Sequence, residues 1–99
     1  MKVRYTRPAL ADLDAILEYV AAHTPQGAKR VRSRIQASLD LLLLHSMIGA
    51  RTDDPDIRRL AIPLYPYLVF YEAAEDEIIV HAVRHAARDP ASMPGAPKP

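Results

Sequence analysis

The chain has 99 residues, of which 49% are hydrophobic and 25% are charged, and this composition is typical of a single soluble globular domain. It contains no cysteine, so disulfide bridges and thiolate metal sites are excluded. Its formal net charge of +1 provides no overall field to attract nucleic acid, and so short a chain can hardly bury both a core and a deep substrate cavity. These limits favour a protein that acts through its surface.

The first half of the chain predicts a short strand and two helices. Val3 and Tyr5 alternate with charged residues, which is typical of a strand near a sheet edge. Thr6 and Thr24 can each cap a helix, and a proline follows each of them within the first helical turn. Apolar residues recur at helical spacing after both caps, so we expect two antiparallel helices, the first ending at about His23.

The second half of the chain predicts one loop and three strands. Residues 45–56 contain turn-forming residues without periodicity, which predicts the loop. Residues 57–62, 67–71 and 78–85 are rich in β-branched or aromatic side chains and are separated by short polar or proline-containing turns. These three strands can form an antiparallel meander, which the N-terminal strand joins after the helical hairpin. The expected fold is therefore α+β, with two helices packed on one face of a small, four-stranded sheet.

The predicted domain spans residues 1–90, and residues 91–99 are expected to form a mobile, proline-rich tail. The N-terminus has no apolar signal region, and the leucine-rich run at residues 39–44 is far too short to span a membrane. We therefore expect a cytoplasmic protein that does not bind membranes.

Few residues predict catalysis. The chain lacks a glycine-rich phosphate loop and a nucleophile motif, so no catalytic residue and no cofactor are expected. His81 and His85 lie four residues apart on one predicted strand and should share a face, but no third metal ligand is evident, and we expect no metal site. His23 and His45 are most simply exposed residues at helix ends.

Arginine residues supply the candidate binding groups, because a guanidinium holds carboxylates and phosphates in a bidentate way. Arg58, Arg59, Arg84 and Arg88 come from adjacent elements of the predicted meander. Arg58 and Arg59 should point to opposite faces of the sheet, because successive strand residues alternate. The group is either a set of solvated charges or a patch for an acidic segment or a phosphate. The second helix presents the same two alternatives. Its basic residues are Lys29, Arg30, Arg32 and Arg34.

Five local patterns, taken with the order of the predicted elements, resemble the ParE branch of the ParE/RelE toxin superfamily of bacterial type II toxin–antitoxin systems. The resemblance covers about residues 2–90. The patterns are Ala9-x-x-Asp12-Leu13-x-x-Ile16, Ile48-Gly49-x-Arg51, Arg58-Arg59-Leu60, Tyr67-x-Val69-Phe70-Tyr71 and His85-Ala86-Ala87-Arg88-Asp89.

This resemblance implies a non-enzymatic toxin that binds and blocks DNA gyrase, and a co-encoded ParD-like antitoxin that folds a disordered segment over the toxin. A hetero-oligomer with the antitoxin is expected, with DNA binding only through the antitoxin, and the antitoxin segment should cover apolar surface on the helical hairpin and the second sheet face. The residues expected to bind the target or the antitoxin are Arg51, Arg58, Arg59, Arg84, His85, Arg88 and Asp89. Those expected to bind the antitoxin are Arg30, Arg34, Tyr67 and Tyr71.

Two other interpretations stay open. The RelE branch cleaves messenger RNA on the ribosome, which needs basic groups for the phosphate and an acid or base near the C-terminus, and here these would be Arg84, His85 and Arg88. Against it, Glu72 stands where many relatives have arginine, and no tyrosine follows the last arginine. A further departure is Ala86, which replaces the usual glycine. The third interpretation is a member that only binds its antitoxin and supports repression of its operon.

Overall fold

The computed structural model describes residues 1–87, which form two helices and five strands. The helices are α1, Arg7–His23, and α2, Pro25–Leu44. The strands are β1, Lys2–Tyr5; β2, Ala50–Arg51; β3, Arg58–Ala61; β4, Tyr67–Ala73; and β5, Glu77–His85. The strand order is β1-β5-β4-β3-β2, in which β1 runs parallel to β5 and every other neighbouring pair is antiparallel. The predicted α+β fold is confirmed, including the edge position of the first strand and the meander of the last three.

The sheet has five strands, one more than the sequence predicts. The additional strand, Ala50–Arg51, lies in the segment expected to be a loop and pairs antiparallel with β3. Two residues are too few to show the alternation that identifies a strand in a sequence. Neither helix in residues 1–87 is long and apolar enough to cross a membrane.

A single threonine joins the two helices. The Thr24 N–H donates to the Val20 carbonyl at 2.8 Å and so ends α1, while its hydroxyl accepts from the Gly27 N–H at 3.1 Å and so caps α2. Thr6 caps α1 in the same way, accepting from the Ala9 N–H at 3.2 Å. Because no further residue separates the helices, they must turn back on each other, which confirms the predicted hairpin.

The main core lies between the helical hairpin and one face of the sheet. It is built from the apolar stripes of both helices and from alternate residues of β4 and β5. Its buried residues are Ala9, Leu17, Val31, Ile35, Leu39, Leu42, Ile62, Tyr67, Val69, Tyr71, Ile78, Val80 and Val83. A smaller cluster lies on the other face and contains Ile57, Phe70 and Ala82, with Leu68 against it. Strand β4 is thus apolar on both faces, as a central strand requires.

A β-bulge interrupts the pairing of β4 with β5. The register changes between Phe70 and Tyr71, where His81 is an extra residue on β5. The extra residue reverses the alternation of side chains, so His81 faces away from the helices while His85 pairs with Tyr67 on the helical face. The expectation that His81 and His85 share a face is therefore wrong, because it assumed an unbroken strand.

Tyr71 fixes the loop that follows α2. Its side chain is fully buried, and its hydroxyl donates to the Ser46 carbonyl at 2.8 Å and accepts from the Gly49 N–H at 2.9 Å. Arg58 Nη1 adds hydrogen bonds to the carbonyls of Met47, at 3.1 Å, and Gly49, at 2.9 Å. A Cβ atom on Gly49 would lie 2.6 Å from the Tyr71 hydroxyl oxygen, so this close approach requires glycine.

Replacing Tyr71 by phenylalanine should destabilise the chain by about 1–3 kcal/mol, because the buried Gly49 N–H would lose its acceptor while the ring stays in place. Urea unfolding measures the change in the free energy of unfolding. Tyr19→Phe is the matched control, since the Tyr19 side chain is 70% exposed, and it should leave stability within about 0.5 kcal/mol. Equal stability of the two variants would refute the role of the Tyr71 hydroxyl.

An ion pair joins the edge strand β1 to β5. Arg4 Nε donates to Glu77 Oε1 at 3.0 Å, and Arg4 Nη2 donates to Glu77 Oε2 at 3.4 Å. The hydrogen bond from Arg4 lowers the pKa of the Glu77 carboxyl below its ordinary value of 4.5. The pair lies at the surface, where solvent screens it. It therefore adds only modestly to the stability that the hydrogen bonds between the strands provide.

This pair predicts a specific dependence of stability on pH. Because the pKa of Glu77 is lower in the folded chain than in the unfolded chain, the stabilisation is complete above the unfolded value and is lost as the pH falls through the folded value. Glu77→Gln should therefore lower the unfolding midpoint near neutral pH, and its difference from wild type should vanish in acid. The exposed Glu75 provides the control variant Glu75→Gln. The prediction is wrong if both variants give the same pH profile.

Candidate partner-binding surface

A cleft of about 510 Å³ lies between α1, the N-terminal end of β4 and the C-terminal end of β5. Apolar and aromatic side chains form most of its wall, and an ion pair and an imidazole form its polar part. The lining residues are Asp12, Ala15, Ile16, Tyr19, Tyr67, Val83, Arg84 and His85. Such a cleft can accept a side chain of a partner that is apolar at its centre and polar at its edge.

Asp12 builds this cleft by completing an unpaired strand edge. Strand β1 pairs with β5 only as far as Val80, and beyond that point the edge of β5 has no neighbouring strand among residues 1–87. There the Asp12 carboxylate oxygen Oδ2 accepts from the Val83 N–H at 3.1 Å and also from the Arg84 guanidinium. One carboxylate thus holds α1 against the sheet and fixes an arginine at the edge of the cleft.

His85 is held by the turn that follows β5. Its Nδ1 accepts from the Ala87 N–H at 3.1 Å, so the ring proton lies on Nε2 in this arrangement. The ring meets Tyr67 edge to face, with 5.7 Å between the ring centroids. Burial raises the pKa of the Tyr67 phenol, which therefore stays protonated at neutral pH. The geometry gives both rings a packing role in the wall of the cleft.

The structure does not bring the predicted site residues into one place. Tyr67, Arg84 and His85 line the cleft beside α1. Arg51 and Arg58 pair with each other at the opposite sheet edge, in β2 and β3. The other predicted residues lie at two further places. Arg59 is in β3, with its side chain on the face away from the helices. Arg30 and Arg34 are on α2. Arg88 and Asp89 lie outside the described residues.

Two predicted contributions to the site are corrected by the structure. Tyr71 is fully buried and hydrogen-bonded to the loop, so it is a structural residue and offers no contact surface to an antitoxin. Glu72 lies on the face away from the helices and hydrogen-bonds His81, with 3.0 Å between Oε1 and Nε2. Its charge does not enter the cleft, so Glu72 gives no argument against phosphate binding there. Ala86 causes no strain, because only Leu64 among the non-glycine residues 1–87 has a positive φ.

Sequence reasoning missed the role of Asp12 and the exposure of Tyr19. Asp12 stands in one of the family patterns, but its partners Val83 and Arg84 lie 71 and 72 residues further along the chain. No local signal predicts such a contact. Tyr19 was visible as an aromatic residue off the apolar stripe of the first helix, and this signal could have predicted a surface aromatic. Among residues 1–87, no group of three or more histidine, aspartate or glutamate side chains could hold a metal ion.

Comparisons with known proteins agree with this architecture. A solved structure described as the chromosomal ParDE TA system from P. aeruginosa superposes with a TM-score of 0.70 and 27% sequence identity, over 86% of this chain and 95% of that one. Toxin RelE2 of Caulobacter vibrioides is 33% identical over 87 residues, or 88% of this chain and 97% of that protein. Putative toxin Y4kP of Sinorhizobium fredii is 32% identical over 85 residues, or 86% and 88% of the two chains.

The fold, a helical hairpin on a small mixed sheet, is thus shared with a protein of a toxin–antitoxin system. The sequence model of the family described as ParE toxin of type II toxin-antitoxin system, parDE, matches residues 3–90. The chain belongs to the ParE toxin family, and the predicted family membership is confirmed.

Removing the Asp12 carboxylate should open the cleft and destabilise the chain. Asp12→Ala leaves the Val83 N–H and the Arg84 guanidinium without their acceptor, which should cost about 1.5–3 kcal/mol, whereas Asp12→Asn keeps an oxygen for Val83 and should cost less. Urea unfolding measures both costs, and amide exchange at Val83 should accelerate most in Asp12→Ala. Asp14→Ala on the same helix is the control. A loss no larger than that of the control would contradict this role.

Proposed function

We propose that this toxin acts in the cytoplasm by binding DNA gyrase without catalysis, and that a co-encoded ParD-like antitoxin neutralises it by binding its surface. Membership of the ParE family supports the choice of gyrase as the target. The observation that supports binding without catalysis is the arrangement of the polar side chains in the cleft beside α1. Its arginine, Arg84, is paired with Asp12, and its phenol, Tyr67, belongs to a side chain that is only 8% exposed. Neither group is arranged to hold a scissile phosphate or to remove a proton from a ribose hydroxyl.

The side chains that line the cleft are better suited to binding a protein partner than to catalysing a reaction. His85 has one ring nitrogen occupied by the Ala87 N–H and packs against Tyr67, so it is positioned as part of the wall. Tyr19 is 70% exposed at the same cleft. Exposed aromatic side chains beside an arginine are the residues that most often dominate binding energy at protein interfaces.

Cleavage of ribosome-bound messenger RNA is the second candidate function. Two observations favour it: a curated relative bears the name Toxin RelE2, and His85 and Arg84 lie together in one cleft. A partner could release Arg84 from Asp12 and so create a phosphate site. A test must therefore compare gyrase and ribosome directly.

Purified toxin should inhibit or poison gyrase acting on supercoiled plasmid, and should leave ribosome-bound messenger RNA intact. The two readouts are plasmid topology on agarose gels and primer extension on messenger RNA from a translating extract. His85→Ala tests the cleft histidine, and His45→Ala is the control because His45 is an exposed residue at the end of α2. Cleavage of messenger RNA by wild type and by His45→Ala, but not by folded His85→Ala, would refute the proposal. Inactivity in both assays would support a member that only binds its antitoxin.

The antitoxin part of the proposal has its own test. The protein encoded by the reading frame beside this gene should co-purify with the toxin and restore growth when the two are expressed together. Growth arrest that this neighbouring protein does not relieve, with no co-purification, would refute the antitoxin assignment and leave the gyrase assay unaffected.

A further inference from the structure

The connection between β3 and β4 contains a tight turn, which we name the β3–β4 turn. The Tyr65 N–H donates to the Ile62 carbonyl at 3.4 Å, so residues 62–65 close a β-turn with Pro63 at its second position. Leu64 stands at the third position and has a φ of 73°. A proline followed by a residue with positive φ is typical of a type II turn, whose third position is ordinarily glycine or asparagine.

Leu64 adopts this φ at a cost. With a positive φ, the Cβ atom of an L-residue lies too close to a neighbouring carbonyl oxygen, and Leu64 is the only non-glycine residue among residues 1–87 in this region. Hydrogen bonds on both sides hold the turn. The Ile62 N–H donates to the Tyr67 carbonyl at 3.0 Å, and the Ala86 N–H donates to the Pro66 carbonyl at 2.7 Å. The surrounding backbone therefore imposes the conformation of Leu64.

The core gains nothing from the Leu64 side chain. The side chain is 83% exposed, the largest exposed fraction of any large hydrophobic residue in 1–87, and it belongs to neither hydrophobic cluster of this part of the chain. Glycine or asparagine would form the same turn with less strain and without an apolar group in water. A strained residue that the fold does not need points to a function of its side chain.

The β3–β4 turn lies at the same end of the sheet as the cleft beside α1. Strand β4 begins at Tyr67 and β5 ends at His85, and these two residues pair with each other and line the cleft. Tyr67 follows Leu64 by three residues, so their Cα atoms are at most about 11 Å apart. A protein bound over the cleft would therefore meet the exposed leucine as well.

We propose that Leu64 is an anchor that inserts into an apolar pocket of gyrase when gyrase binds this end of the sheet. The inference rests on the proposed gyrase-binding function and adds a specific residue and the chemistry of its contact. Because the backbone of the turn is already fixed, binding orders little more than one side chain and costs little conformational entropy. The matching site on gyrase should be a small pocket with apolar walls and a polar rim.

The rigidity of the turn favours a folded partner. A single protruding side chain gains most from a pocket that exists before binding, because the apolar surface on both sides is then buried in one step. A disordered segment that folds on binding has no such pocket in its free state. Leu64 carries no charge and no hydrogen-bonding group in its side chain, so it offers nothing to the phosphates of a nucleic acid.

The test compares gyrase binding with thermal stability in the full chain. Leu64→Asn should raise the unfolding midpoint by about 2–6 °C, because asparagine adopts a positive φ more readily than leucine. The same variant should bind purified bacterial gyrase about tenfold or more weakly, since the leucine side chain is no longer there to be buried. Fluorescence anisotropy of the labelled toxin measures the Kd, and inhibition of supercoiling provides the second readout.

Two further variants provide the comparison. Leu64→Met keeps an apolar side chain at the same position and should bind gyrase within about threefold of wild type. Leu44→Asn is the matched control, because it makes the same change at a leucine that is 78% exposed at the end of α2. It should leave gyrase binding unchanged.

Each outcome supports or overturns the inference. Higher stability and weaker gyrase binding in Leu64→Asn, with the other two variants near wild type, support it. Wild-type gyrase binding by Leu64→Asn overturns it and leaves the gyrase proposal standing. Equal weakening in Leu44→Asn overturns it, and so does a lower unfolding midpoint in Leu64→Asn, which would show that the leucine packs in the fold. Loss of binding only to the protein of the neighbouring reading frame assigns the turn to that partner instead. If wild type does not bind gyrase, both proposals fail.

Discussion

The parallel pairing of β1 with β5 is the constraint on which the rest of the structure depends. This pairing places β1 at the sheet edge opposite β2, so the chain between these two strands must cross one face of the sheet. The helical hairpin is this crossing, and its helices cover the side of the sheet where the main core forms. Because the same pairing ends at Val80, it also leaves the far part of the β5 edge for Asp12 to complete.

At two places where the regular backbone hydrogen bonding ends, side chains from distant parts of the chain bond the backbone groups instead. Asp12 supplies an acceptor where β1 no longer does, and Tyr71 supplies both a donor and an acceptor to the loop after α2. Buried backbone groups without partners are costly, so each of these side chains has a structural reason to be retained. These contacts also give a structural reason for two residues of the family patterns, Asp12 and Gly49, in this chain.

Two concave surfaces of the chain differ in chemistry. The cleft beside α1 is aromatic and mainly apolar, and its arginine is already paired with Asp12. The groove beside α2 is lined by Lys29, Arg30 and Arg34, and the same helix exposes Leu41 and Leu44.

The sequence by itself determined the helices, their caps, the three-strand meander and the family, because each of these depends on neighbours within a few residues or on patterns with a fixed period. Thr6 and Thr24 show this directly, since each cap accepts a hydrogen bond from an N–H three residues later. Only the tertiary structure decided the faces of His81 and His85, because one bulged residue reverses every side chain beyond it. It also decided that Tyr71 is internal and that Asp12 meets Arg84, since both contacts join residues that are adjacent only after the sheet has formed.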